Sequence, residues 1–211
     1  MEISIFKTSS RNILIEMLRH LSYDDIVHCL QVDTQTHSFA KTSLQVKRIL
    51  MQANLEKLIT THKTEEEAFF HCCKMGLLNS LNEILVRAKV NPMCQSAKAM
   101  FYVCVYPNAN TLKVLDRLLQ DSRFDPLASE VRIWSDLDLP TDKLCDYTFD
   151  HVGLIYASRV EPANVEIILK LLDDPRVVSN QINPFTNQYF MENLSTIYDA
   201  RLFRKVLIPS V

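Results

Sequence analysis

Glycine is almost missing: Gly76 and Gly153 are the only two in the chain. Tight two-residue hairpins and phosphate-cradling loops both draw on glycine, so a hairpin-rich sheet and the glycine-rich nucleotide-binding loops are excluded. The six cysteines, Cys29, Cys72, Cys73, Cys94, Cys104 and Cys145, contain no C-x-x-C pair. A metal knuckle and a dithiol redox motif are therefore not expected, and reduced cytoplasmic or nuclear thiols are. No apolar run approaches the roughly eighteen residues that cross a bilayer, and no charged-then-apolar signal segment follows Met1. Net charge is only −2, which gives no global attraction to nucleic acid or to an anionic membrane.

What is present is helical patterning joined by Asn, Asp and Pro turns, so the expected class is all-α. Over 12–31, "NILIEMLRHLSYDDIVHCLQ" repeats apolar residues at helical spacing around one Ser-Tyr-Asp-Asp break. Ser9 and Ser10 can cap a first helix from about Arg11 to His20. Ser22, with Asp25 three residues on, can open a second whose stripe is Ile26, Val27 and Leu30. Apolar positions recur again over 44–59. This unit of about sixty residues is too small to bury much surface unaided. Thr64-Glu65-Glu66-Glu67 signals a new helix start.

From there the chain repeats itself. "LLNSLNEILVRAKVNP" (77–92) and "TLKVLDRLLQDSRFDP" (111–126) align at an offset of 34, with Leu78, Leu81, Ile84, Leu85, Asn91 and Pro92 falling on Leu112, Leu115, Leu118, Leu119, Asp125 and Pro126. "VEIILKLLDDPRVVSN" (165–180) aligns at a further 53, which places an insertion between about 127 and 151. A period near 33 or 34 is that of two-helix repeats of the ankyrin or tetratricopeptide kind.

The stretch from Cys72-Cys73 through Gly76 to Leu78, Leu81, Ile84 and Leu85 resembles an ankyrin repeat, with the two cysteines where small packed residues stand. Glu67-Ala68-Phe69-Phe70 replaces the usual opening, and the later copies carry Pro107-Asn108-Ala109-Asn110 and Glu161-Pro162-Ala163-Asn164 in place of glycine. The copies are similar to the degenerate "LLxDxRxDP" ankyrin-like repeats of large DNA viruses. The likeness covers roughly 65–195 and implies about three repeats within 61–211.

The front stretch resembles the F-box, a helical module that docks on the Skp adaptor of cullin-based ubiquitin ligases. Ile13 and Leu14 fall on its paired leucines, Met17 and Leu18 on Ile-Leu, Leu21 on the next leucine, Asp25-Ile26 on Asp-Leu, and Val32 on its valine. Ser9-Ser10 replaces the leading Leu-Pro, and Thr36 stands where tryptophan is usual. The resemblance implies an F-box-like module over 1–60 whose Ile13, Leu14, Met17, Leu18, Leu21 and Ile26 face a Skp-type adaptor, while the repeats hold an unidentified target. An interaction or decoy repeat protein whose first helices simply cap the array stays open beside it, as does a viral structural component.

Chemistry-bearing residues point elsewhere than to catalysis. Neighbours on a helix diverge by about 100°, so His71, Cys72 and Cys73 do not converge on one ion. No histidine has a recognisable catalytic context, and neither an enzyme nor a cofactor is expected. Lys41, Lys47, Arg48 and Lys57 form a modest basic cluster that reads as a solvated face rather than a nucleic-acid surface. The insertion holds the single tryptophan, Trp134, among five aspartates, a candidate target-binding anchor or a cover between repeats.

Overall fold

The computed structural model describes residues 8–32, 43–88, 90–127, 151–178, 184–186 and 188–207, and every regular element among them is helical. The chain divides into two compact units, Met1–Ala68 and Phe69–Val211, a boundary at Ala68 where the sequence suggested residue 60.

In the first unit, α1 (Thr8–Leu18), α2 (Tyr23–Val32) and α3 (Leu44–His62) pack together. Ser22 caps α2 as its position suggests: its hydroxyl accepts from the Asp25 amide at 3.3 Å and donates to the Asp25 carboxylate at 2.6 Å. Ser43 caps α3 by accepting from the Val46 amide, and Lys63 ends it in the left-handed region at φ 68°. The core of this unit is Ile15 and Leu18 from α1, Ile26 and Leu30 from α2, and Val46 from α3. Lys57 bonds both Asp24 carboxylate oxygens, tying the start of α2 to α3.

Thr64 opens α4 (Glu65–Met75), its hydroxyl accepting from the Glu67 amide at 3.1 Å. Next come α5 (Leu78–Glu83), which runs on as a π-turn over Ile84–Ala88, then α6 (Cys94–Val105), α7 (Thr111–Leu119), α8 (Val152–Arg159), α9 (Val165–Leu172), a 3-10 turn over Pro184–Thr186, α10 (Gln188–Leu194) and α11 (Ala200–Leu207). Of these, α6 packs on α7 and α8 on α9 as helical hairpins. Within the second unit α6 packs on α8 and α8 on α10, while α5, α7, α9 and α11 pack in that order. α11 carries Arg201, Arg204 and Lys205 where α7 and α9 carry leucine and isoleucine.

A helix leaves its last four carbonyls without an intrahelical partner, whatever its length. Side chains from the following hairpin supply the donors. Asn108 donates to the Lys74 carbonyl at 3.1 Å and Asn110 to the Gly76 carbonyl at 3.1 Å, both across 34 residues. Gly76 sits at φ +69°, and a Cβ there would fall 2.1 Å from Asn108 Oδ1, so the left-handed turn and the asparagine require the glycine.

Two arginines repeat the device one step on. Arg123 reaches the Leu85 carbonyl at 3.3 Å, and Arg176 reaches the Leu119 carbonyl at 2.8 Å and the Phe124 carbonyl at 3.0 Å. Leu85 and Leu119 are equivalent under the 34-residue offset, so this is one clasp used twice. Each arginine is aimed by the aspartate two residues earlier: Asp121 and Asp174 accept both the backbone amide and the guanidinium of Arg123 and Arg176. Those guanidinium bonds hold the Asp121 and Asp174 carboxyls below their usual range.

A carboxyl whose folded pKa is depressed stabilises the fold fully above its unfolded value, about 4, and loses that contribution as pH falls through the folded value. Asp174→Asn is expected to lower the urea stability of the chain by about 1.5–3 kcal/mol at neutral pH, since a charged hydrogen-bond acceptor is removed. By far-UV circular dichroism the gap between variant and parent should narrow as pH falls through the folded-state pKa of Asp174, which lies below the usual carboxylate value. An unchanged gap at low pH would contradict the clasp.

Candidate docking face of the first unit

α1 carries apolar side chains all round, and its neighbours decide which are covered. Ile15 and Leu18 turn inward, with Leu18 1% exposed against Ile26 and Val46, and Leu14 packs half-buried on the same cluster. Ile13 and Met17, one helical turn apart, point the other way and are 61% and 60% exposed. They form a short apolar ridge beside Glu16, which pairs with Arg19 at 2.8 Å and lies 3.8 Å from His20.

The six residues expected to face an adaptor therefore separate. Ile13 and Met17 are open, and Leu14 and Leu21 are half-buried. Leu18 and Ile26 are a correction: they are not partner-facing, because a small helical unit needs its largest aliphatics at its own centre and these two are buried there. Val32 as a side chain, and Thr36 and Trp134 altogether, lie outside the described residues.

The sequence pattern also missed two shallow clefts flanking Leu21. One, of about 290 Å³, runs between the start of α2 and α3 and is lined by Leu21, Tyr23, Ala53 and Lys57. The other, of about 270 Å³, is lined by Leu21, Arg48, Ile49 and Ala53. Leu21, Ala53 and Glu56 line both. Small residues inside an otherwise leucine-spaced helix are the signal that could have marked these clefts.

Elsewhere the reactive residue types are buried rather than presented. Cys72, Cys73 and Cys104 lie in the core of the second unit, where burial pushes the Cys72 thiol up to about 12 and the other two upward as well. Such thiols stay protonated at neutral pH and are weak nucleophiles. Among the described residues no three His, Cys, Asp or Glu side chains are grouped to hold a metal, and no helix is long and apolar enough to cross a membrane. Of the basic cluster, Lys47 and Arg48 are exposed on α3, Lys57 is bonded to Asp24, and Lys41 lies outside the described residues.

No protein-family model, curated protein or solved structure matches the chain.

The separation of faces has a direct consequence. Leu18→Asp or Ile26→Asp buries a charge in the centre of the first unit and should cost about 3–5 kcal/mol in chemical denaturation, whereas Ile13→Asp and Met17→Asp should stay within about 0.5 kcal/mol of the parent. Comparable losses from both pairs would show that α1 is oriented differently.

Proposed function

We propose that the chain is a non-enzymatic adaptor whose first unit docks on a Skp-type protein of a cullin ubiquitin ligase, while the helical hairpins of the second unit, an ankyrin-like array, hold a target. The observation that carries this reading is the Ile13–Met17 ridge: two large apolar side chains in register on α1, left outside a core that their own neighbours complete. A module that binds by lending an apolar helix face to a partner requires that division.

Magnitudes limit how much the ridge does alone. Burying two aliphatic side chains that are already part-covered adds roughly 2–4 kcal/mol, less than the 4 kcal/mol or more lost in association. The contact therefore extends to Leu21 and the clefts beside it, whose Tyr23, Arg48 and Lys57 supply a polar rim.

A second reading is favoured by the burial of Leu18 and Ile26. With a third of the expected docking set taken up internally, an interaction or decoy repeat protein with no ligase connection needs no such partner for its first unit.

A pull-down with a purified Skp-type adaptor separates the two. The full chain should retain the adaptor, and Ile13→Asp with Met17→Asp should reduce retention by about tenfold or more while leaving the circular dichroism spectrum unchanged. Failure of the parent chain to retain it, or equal retention by the double variant, would leave the second reading standing.

A further inference from the structure

Residues four apart on a helix differ by only about 40° in direction, so Arg48, Gln52 and Glu56 form one edge of α3. Arg48 and Glu56 are exposed at the two ends of that edge, about 12 Å apart at 1.5 Å per residue. Gln52 between them donates to the Glu56 carboxylate at 2.6 Å, and among the described residues no cation pairs with it. Arg48 has no acid partner among them either. The neighbouring charges are already matched, Arg19 by Glu16 and Lys57 by Asp24. Beside the edge runs the cleft of about 270 Å³ whose walls include Leu21, Ile49 and Ala53.

An edge with an open cation at one end, an amide at the centre and an open acid at the other is complementary to itself when turned end over end. A two-fold axis at Gln52 sets Arg48 against Glu56 of a second copy, and the same contact recurs on the other side of the axis. The two Gln52 amides meet at the axis, where each can donate and accept. A parallel arrangement would set like charges together. A surface carrying only acids would repel Glu56, and one carrying only cations would repel Arg48.

We propose that the chain forms a two-fold dimer through this edge of α3, with side chains of the second copy resting on Leu21 and Ile49 in the adjoining cleft. Exposed ion pairs contribute little each and a shallow cleft covers little area, so the dimer is weak and forms in the micromolar range or above. It rests on the charge order of α3 and not on the adaptor reading. Because it is measured on the chain alone, its failure would leave the adaptor pull-down untouched.

The test is sedimentation velocity on the full chain from about 1 to 300 µM at low salt, where exposed pairs are least screened. The parent should pass from monomer to dimer as concentration rises. Arg48→Glu and Glu56→Arg should each weaken dimerisation about tenfold or more, since either one places like charges at both contacts, and neither should alter the circular dichroism spectrum. An equal mixture of the two variants should associate again, because each supplies the charge that the other lacks. A parent that stays monomeric throughout, a dimer indifferent to either reversal, or variants that fail to associate when mixed would overturn the proposal.

Discussion

The contact of Leu18 with Ile26 and Val46 is the constraint on which the first unit depends. Among the described residues α1, α2 and α3 share one centre, and α1 can turn only one of its sides toward it. Once Ile15 and Leu18 occupy that centre, Ile13 and Met17 have nowhere to go but outward. The exposed ridge is thus a geometric result of the core rather than a separate feature, and any account of what α1 binds begins from the core residues it must leave alone.

The second unit solves a different problem with the same economy of size. Its helices, like any others, leave their last carbonyls unsatisfied, and the chain has one glycine, Gly76, in a left-handed turn to help. Asparagines and arginines of the next hairpin take over, reaching back to the Lys74, Gly76, Leu85 and Leu119 carbonyls. Each hairpin therefore completes the one before it. This makes neighbouring hairpins mutually dependent, as expected of a stack in which no unit can stand alone. The polar pairs between these second helices run one way, the earlier helix giving the acceptor and the later one the cation: Asn82 with Arg117, Asp116 with Lys170 and Glu166 with Arg201.

Much of this was legible in the sequence, and the remainder was hidden for identifiable reasons. Ser22 and Thr64 marked helix starts because a capping hydroxyl acts within three residues, and the leucine spacing of 77–92, 111–126 and 165–180 marked the paired second helices. The sidedness of α1 was not legible, since Ile13, Leu14, Ile15, Met17 and Leu18 surround the helix and only tertiary packing selects among them. Nor were the clasps: Asp121-x-Arg123 and Asp174-x-Arg176 are visible as triplets, but their carbonyl partners lie 38 and 57 residues back. α11 escaped because it replaces the leucine pattern with cations, of which Arg201 meets Glu166 on α9 and Lys205 meets Asp173 just after it.

Amide hydrogen exchange on the full chain, with and without a purified Skp-type adaptor, addresses the central claim without any substitution. The account predicts slowed exchange across Ile13–Leu21 and at the Tyr23 end of α2, with α9 unaffected. Exchange in α1 that is the same with and without the adaptor would contradict it.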